Sequence, residues 1–252
     1  MDASSLRRNG RRAFVWLVAA GLLVGGAGVV YFGTPHHGSD SGIAAVEADQ
    51  SVTVTEREDT YTIEPAGGQP TAGLVFYPGA RVHPDAYLAS LAPLADRAGV
   101  TVVIPKLPLN LAVLDQGAAA AYVDRADPDR WYVGGHSLGG AMACRYAARN
   151  PDAVEGVVLY ASYCDRDLSG TGLAALSVTG SADTVLDRER YEATRENLPA
   201  NATVHELPIN HSQFGDYRGQ RGDEPSGLHY ERAHERLANV TVEWVRTRND
   251  SA

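Results

Sequence analysis

The residues Gly135-His136-Ser137-Leu138-Gly139 lie between a short apolar segment and an alanine-rich one. A serine flanked by glycine two positions before and two after is typical of a sharp turn from a strand into a helix, because only small residues fit there. At the start of a helix, the helix dipole favours a developing negative charge. We therefore predict that Ser137 is a nucleophile, the alternative being a glycine-rich turn without chemistry.

A serine nucleophile needs a base, and the base needs an acid that orients it. Asp183 follows the predicted strand Leu173–Thr179, and His211 follows the next predicted strand, Thr203–Leu207. Ligands of parallel sheets bind beyond the carboxyl ends of the strands, which is where both side chains are expected. We predict His211 as the base and Asp183 as the acid that holds it.

Other acidic and imidazole side chains compete for these two roles. Asp165 and Asp167 follow a strand that lies earlier in the chain, and Asp187 sits where a helix N-cap is the simpler role. His205 lies inside a predicted strand and His136 inside the serine turn, so we expect both to be structural. His229 and His234 lie on the last predicted helix, where we expect a surface position.

An acyl-transfer site also needs donors for the oxyanion. One is expected to be the N–H of Leu138, directly after the serine. The other is expected in the loop after the strand Gly73–Tyr77, where we favour the N–H of Ala80 over that of Arg81. For substrate contact we predict Arg81, Tyr163 and Phe214, at the edges of an open site.

Strand and helix patterns alternate from residue 51 onward, which predicts an α/β fold with a mainly parallel central sheet covered by helices on both faces. The strand patterns are Val52–Glu56, Tyr61–Glu64, Gly73–Tyr77, Val100–Ile104, Trp131–Val133, Val154–Ala161, Leu173–Thr179 and Thr203–Leu207. The helix patterns are Asp85–Ala98, Leu111–Arg125, Ala141–Arg149, Asp187–Asn197 and Leu228–Arg246. The connection between Ala161 and Leu173 is too short to fold a cap domain.

Three segments carry a resemblance to a known family: Gly-His-Ser-Leu-Gly-Gly, Gly-Ser-Ala-Asp and Asn-His-Ser-Gln-Phe-Gly-Asp-Tyr. They resemble the catalytic blocks of the α/β-hydrolase superfamily, over most of residues 60–248. The last block is similar to a lidless branch of dienelactone-hydrolase type, although those enzymes have cysteine where Ser137 stands. The resemblance implies an α/β-hydrolase fold without a cap, with Ser137 as nucleophile, His211 as base and Asp183 as its partner.

The chain before residue 51 has three predicted parts. Residues 1–12 are basic and residues 13–33 hold no charged side chain, which predicts a transmembrane anchor or a cleaved signal segment, with the anchor favoured. Either way the arginines stay in the cytoplasm and residues 51–252, the predicted catalytic domain, lie outside it. Residues 34–50 are predicted to be a flexible stalk. The adjacent His36-His37 are ordinary ligand types for a metal, but they have no partner cluster in the sequence, so a solvated linker is favoured.

The composition limits the classes of molecule that the chain is expected to bind. The net charge of −9 argues against nucleic-acid binding. We predict no metal and no cofactor. Cys144 and Cys164, the two cysteines, either form a disulfide or remain buried thiols.

The sequence therefore predicts a serine hydrolase that cleaves small carboxylic esters, bound to a membrane through its N-terminal segment or secreted. A peptidase, a thioesterase or an acyltransferase with the same three residues is the alternative within enzymes. A non-catalytic anchored binding protein on the same scaffold is the alternative from another class. The sequence gives no prediction of the oligomeric state.

Overall fold

Eight strands form one sheet at the centre of the computed structural model, which describes residues 16, 21, 25–123 and 128–249. The strands are β1 Val52–Glu56, β2 Thr60–Pro65, β3 Ala72–Tyr77, β4 Val100–Pro105, β5 Trp131–His136, β6 Gly156–Tyr160, β7 Ala174–Gly180 and β8 Thr203–Leu207. Their spatial order is β1-β2-β4-β3-β5-β6-β7-β8. All neighbours from β4 to β8 are parallel, whereas β1 and β2 join antiparallel, so the predicted mainly parallel sheet is confirmed.

Six described helices cover the sheet or flank it. They are α1 Asp40–Glu47, α2 Leu88–Ala98, α3 Ala120–Val123, α4 Leu138–Arg149, α5 Arg188–Ala193 and α6 Tyr230–Asn249. Helix α2 ends at Gly99, whose φ of 63° is a left-handed conformation that favours glycine. Helices α2 and α6 pack together on one face, with α1 beside α2, and α4 lies on the other face.

The central strands are buried on both sides, as strands in the middle of a covered parallel sheet must be. Strand β3 shows how successive side chains divide between the two faces. Leu74 and Phe76 point into the core under α2 and α6, while Val75 and Tyr77 point into the core under α4. This division explains why strand segments such as Ala72–Tyr77 are continuously apolar instead of alternating.

The predicted helix Leu111–Arg125 is wrong over most of its length. The chain instead makes two short 3₁₀ turns, Pro108–Asn110 and Ala112–Leu114, before the short helix α3. The Tyr77 hydroxyl replaces the missing helical bonds, since it donates to the Gln116 carbonyl at 3.0 Å and accepts the Ala119 N–H at 2.9 Å. A contact from a distant strand thus overrides the helix propensity of the alanines. Residues 124–127 lie outside the described part of the chain.

The flexible stalk predicted for residues 34–50 is wrong as well, because this segment is ordered against the domain that contains the sheet. Ser39 caps α1, where its side chain accepts the Gly42 N–H, and its hydroxyl donates to the Asp216 carboxylate. Val46 of α1 is buried in the core. Capping and burial of one apolar face together hold a helix that is too short to be stable alone.

Residues 25–33 are helical, but much of the predicted membrane segment 13–33 lies outside the described residues, as do residues 1–12. Among the helices that are described, none has both the length and the apolar character required to cross a bilayer. Arg81 holds the end of this segment to the domain, since its side chain donates to the Tyr31 carbonyl at 3.0 Å and to the Thr34 carbonyl at 3.2 Å.

The two cysteines are joined in a disulfide, which resolves the two alternatives left open by the sequence. Cys144 lies on α4 and Cys164 follows β6, and their Cα atoms are 5.4 Å apart. The bond fastens the helix that follows Ser137 to the loop at the end of the neighbouring strand.

Candidate active site

Ser137 occupies a strained turn between β5 and α4, with φ 52° and ψ −123°. Such a backbone costs of order 1–3 kcal/mol and persists only where the surroundings hold it. The Ser137 N–H donates to the Tyr160 carbonyl at 2.9 Å, and the Ser162 hydroxyl donates to the Ser137 carbonyl at 2.7 Å. A Cβ on Gly135 would lie 2.5 Å from the carbonyl carbon of Gly139, which explains the glycine at that position of the turn.

Asp183 and His211 form a buried pair at the carboxyl ends of β7 and β8. The Asp183 Oδ2 atom is 2.9 Å from the Nδ1 atom of His211, and the side chains are 0% and 3% exposed. The other oxygen of Asp183 accepts the N–H groups of Val185 at 2.8 Å and Leu186 at 2.9 Å. Both carboxylate oxygens of Asp183 are therefore held, one by His211 and the other by the turn that follows Asp183.

The pair has a defined protonation. Burial raises the pKa of Asp183, but the His211 hydrogen bond and charge and the two backbone N–H groups outweigh it, and the pKa is lowered overall. An ionised Asp183 accepts a hydrogen bond from the Nδ1–H group of His211, and in a neutral imidazole Nε2 is then the acceptor. That tautomer is the one that a general base for a serine requires.

Ser137 and His211 are brought near each other without a direct bond. The ring of His136, adjacent to Ser137 in the chain, lies 4.4 Å from the ring of His211 between centroids. In the described part of the chain, no hydrogen bond joins the Ser137 hydroxyl to the His211 imidazole. Catalytic hydrogen bonds are often long before a substrate is bound, so this separation is compatible with a role for both.

Among the described residues, the two predicted oxyanion donors have N–H groups without an acceptor, whereas the alternative donor has a partner. The Arg81 N–H donates to the Asn110 carbonyl at 2.9 Å, which removes Arg81 as the alternative donor. Among the described residues, nothing accepts the N–H of Ala80 or that of Leu138. Leu138 is the first residue of α4, where a backbone N–H has no acceptor inside the helix.

A family model described as "Alpha/beta hydrolase family" matches residues 73–235. The chain belongs to this family. The match spans the strands from β3 to β8 and therefore includes Ser137, Asp183 and His211.

Solved structures are similar to this hydrolase in fold. A predicted CIB-like hydrolase from Thermoplasma acidophilum has a TM-score of 0.56 and 15% identity, over 78% of this chain and 99% of that one. A dienelactone hydrolase from Anabaena variabilis ATCC 29413 has a TM-score of 0.56 and 16% identity, over 77% of this chain and 97% of that one. No curated protein sequence matches the chain.

Tyr87 is a residue of the hydrolase site that the sequence did not indicate. Its hydroxyl accepts the Gly79 N–H at 2.8 Å and contacts Nδ1 of His136 at 2.9 Å. Burial raises the pKa of Tyr87, so the phenol that contacts Nδ1 of His136 stays protonated. Burial, followed by the charge of His211, lowers the pKa of His136 well below 6.5 and keeps its ring neutral. Tyr87 thereby connects the loop that holds Ala80 to the histidines beneath the serine.

Asp223 is a second residue of the candidate site that the sequence analysis did not select. Its carboxylate accepts the His211 N–H at 3.0 Å, the Ser212 N–H at 2.8 Å and the Ser212 hydroxyl at 2.6 Å. These bonds hold the first turn of the 3₁₀ helix His211–Phe214 and so position the His211 backbone. The only sequence signal was its place shortly after the third family-like block.

The predicted substrate contacts need revision in two cases. Phe214 is fully buried and stacks with His136 at 5.7 Å, so it supports the histidines from below instead of edging the entrance. The Arg81 guanidinium lies 3.8 Å from the Tyr31 ring and binds the segment before the domain. Tyr163 is half-buried beside the guanidinium of Arg190, at 4.3 Å. Residues 161–173 contain neither helix nor strand, so no cap is inserted between β6 and β7.

The competing acids and histidines have other partners. Asp165 binds Arg145 at 2.6 Å, and Asp187 caps α5 by accepting the Arg190 N–H at 2.9 Å. His234, expected at the surface, is buried and contacts the Gly215 carbonyl through Nε2 at 2.8 Å. Their partners leave Asp183 as the acid that meets His211.

Proposed function

We propose that the chain is a serine hydrolase that cleaves carboxylic esters through an acyl-enzyme. The observation on which the proposal rests is the buried Asp183–His211 pair next to a serine held on a strained turn. Membership of the alpha/beta hydrolase family supports hydrolysis in general, and the arrangement of these side chains supports the proposal of a serine mechanism.

In the proposed mechanism the Ser137 hydroxyl attacks the acyl carbonyl while Nε2 of His211 accepts its proton. Asp183 keeps the imidazole in that tautomer and stabilises the positive ring that forms. His211 then returns the proton to the leaving alcohol. In the second half of the reaction water attacks the acyl-enzyme while His211 accepts its proton, and His211 returns that proton to Ser137 as the acid leaves.

The N–H groups of Leu138 and Ala80 would bind the oxyanion. Each such donor supplies roughly 3 kcal/mol of transition-state stabilisation. Because both groups lack an acceptor among the described residues, no existing bond has to break when the oxyanion forms.

An active-site fluorophosphonate probe tests the nucleophile. The full-length wild type is expected to label stoichiometrically, whereas Ser137→Ala is expected not to label. Ser169→Ala, an exposed serine, is the matched control and should label like wild type. An unlabelled wild type would overturn the serine mechanism and favour a binding protein, whereas equal labelling of Ser137→Ala would show that a residue other than Ser137 is the nucleophile.

A panel of matched substrates tests which type of bond the enzyme cleaves. We expect p-nitrophenyl esters of short acids to be hydrolysed faster than the corresponding anilide and thioester, with a chain-length series defining the acyl preference. A faster anilide indicates a peptidase, a faster thioester indicates a thioesterase, and transfer to added alcohol in preference to water indicates an acyltransferase.

We also propose that residues 13–33 anchor the enzyme in a membrane with its catalytic domain outside the cytoplasm. The Cys144–Cys164 disulfide supports this location, since such bonds persist mainly in oxidising compartments. Protease added to intact spheroplasts should digest the domain, and alkaline extraction should leave it in the membrane fraction. Release into the soluble fraction at a lower mass would show cleavage instead of anchoring.

A further inference from the structure

Three side chains from two separate segments converge beside the loop after β3. The Asp85 Oδ2 atom is 2.7 Å from Nδ1 of His37 and 2.9 Å from Nδ1 of His83. The two imidazole rings lie 4.4 Å apart between centroids. The donor atoms of the three residues all lie within 4.8 Å of one another. The sequence suggested no such cluster, because His37 is distant in the chain from the other two.

The carboxylate at the centre of this cluster is oriented by the backbone. The second oxygen of Asp85 accepts the Gly38 N–H at 3.0 Å, which leaves Oδ2 to face both histidines. Asp85 is therefore a carboxylate whose Oδ2 atom is already directed at two ring nitrogens.

Two imidazoles and one carboxylate are a donor set that zinc and similar divalent ions bind, with a water completing four-coordination. Metal–ligand bonds of about 2.0–2.2 Å in a tetrahedron place neighbouring donor atoms roughly 3.3 Å apart. The observed separations of 2.7 and 2.9 Å need to open only slightly to admit an ion. The His37 side chain is 57% exposed, so it can move, and solvent can reach the fourth position.

We propose that His37, His83 and Asp85 form a binding site for a divalent transition metal of the zinc class. The ion would bind Nδ1 of both imidazoles, each of which would then carry its proton on Nε2, and so join the segment before α1 to the loop after β3. The backbone already aligns these segments, since the His36 N–H donates to the Arg81 carbonyl and the His83 N–H donates at 2.8 Å to the His36 carbonyl. The site is independent of the proposed ester hydrolysis, because none of its ligands belongs to the Ser137–His211–Asp183 group.

Zinc titration of the full-length chain, purified through a tag without histidine, tests the site. Wild type is expected to bind one equivalent of Zn²⁺, and Co²⁺ should give the visible absorption of a four-coordinate ion at the same stoichiometry. Mg²⁺ and Ca²⁺, which prefer all-oxygen sites, should not compete. Binding should also raise the unfolding temperature, because the ion binds the folded chain.

Single-ligand variants decide whether these residues hold the ion. His37→Ala and His83→Ala should each weaken Zn²⁺ binding by more than the roughly 10–100-fold that loss of an outer-shell partner costs. His205→Ala removes an exposed histidine from β8 and should bind like wild type. The exposed His37 makes its variant the one expected to fold normally. If wild type binds no Zn²⁺, or if His37→Ala binds it as tightly as wild type, the cluster is a hydrogen-bonded one only and the proposal is wrong.

Discussion

Two histidine–aspartate clusters in this chain use the same functional groups in different surroundings. In the Asp183–His211 pair both side chains are at most 3% exposed, whereas in the cluster of His37, His83 and Asp85 exposure reaches 57%. Asp183 has one imidazole on one oxygen and two backbone N–H groups on the other. Asp85 has two imidazoles on one oxygen and a single N–H on the other.

Contact between an aspartate and a histidine therefore does not by itself define the chemical role of the two side chains. One imidazole on a fully satisfied carboxylate gives a fixed tautomer, which suits a base. Two imidazoles, one of them exposed, that converge on one carboxylate oxygen give a set of nitrogen and oxygen donors, which suits a cation. Of the two clusters, the buried pair is the one whose histidine contacts His136, the residue next to the strained Ser137.

Matched substitutions of the two aspartates test this comparison most strongly. Asp183→Asn should lower kcat for ester hydrolysis by about 10⁴-fold, because the amide stabilises the wrong imidazole tautomer and no positive ring. Asp85→Asn should leave kcat within a small factor of wild type. Steady-state kinetics on a p-nitrophenyl ester measures both.

A circular-dichroism melt of each variant separates chemistry from folding. The two aspartates do not have different roles if Asp85→Asn loses as much activity as Asp183→Asn while both remain folded. The same holds if a folded Asp183→Asn variant keeps most of the wild-type rate.

The next effect concerns how the buried pair is positioned. Asp223→Ala removes the acceptor of two backbone N–H groups and one hydroxyl, so His211 can shift. A misplacement of about 1 Å costs up to about 10²-fold in rate, and we expect kcat to fall while KM changes little. Asp223→Asn keeps one acceptor oxygen and should recover part of the rate. If both variants destabilise the chain equally and leave kcat unchanged, Asp223 is only structural.

The local parts of the site were predictable from sequence, and the parts built by distant contacts were not. The serine turn has a fixed spacing that follows from its backbone, and Asp183 and His211 follow strands whose apolar runs are clear. Their contact is observed, while their catalytic roles remain a prediction. Tyr87 gave no signal, because its hydroxyl meets Gly79 and His136 only after the sheet has formed.

The two wrong elements fail for the same physical reason. Residues 34–50 have the composition of a linker, and the helix α1 forms there because Ser39 and Val46 find partners on the domain. Residues 111–125 have the composition of a helix, and Tyr77 holds residues 116–119 in another conformation. In both segments tertiary contacts exceed local propensity, which spans less than about 1 kcal/mol per ordinary residue. The mainly parallel sheet was predictable because its strands are buried and continuous.

A smaller effect on stability is expected for two buried tyrosine hydroxyls, one of which has hydrogen-bond partners while the other has none among the described residues. Tyr87→Phe leaves the Gly79 N–H without an acceptor and should cost about 1–3 kcal/mol of unfolding free energy, with a lower kcat through the Ala80 loop. Tyr132 is the matched control, since its buried hydroxyl meets no hydrogen-bond partner in the described residues. Tyr132→Phe should be neutral or slightly stabilising in urea unfolding. Equal losses in the two variants would mean that the Tyr87 hydroxyl is not holding the loop.

The smallest effect is the pH dependence that the buried histidines impose on stability. Burial lowers the pKa of His136 and of His234 below the ordinary value of 6.5 that each has in the unfolded chain. Below about pH 6.5 the unfolded chain therefore binds more protons, and the unfolding free energy falls as the pH decreases, by up to about 1.4 kcal/mol per pH unit for each histidine. Well above pH 6.5 these histidines are neutral in both the folded and the unfolded chain, so this loss of stability is absent.

The variant His234→Gln isolates one of these two contributions, because glutamine can still donate to the Gly215 carbonyl but does not titrate. Urea unfolding from about pH 7 down to about pH 5 should show a shallower loss of stability for the variant than for wild type. Any packing cost of the substitution appears as an offset that is already present at neutral pH. Parallel curves for the two proteins over this range would show that His234 accepts a proton in the folded chain, and that burial alone does not keep a histidine of this fold neutral.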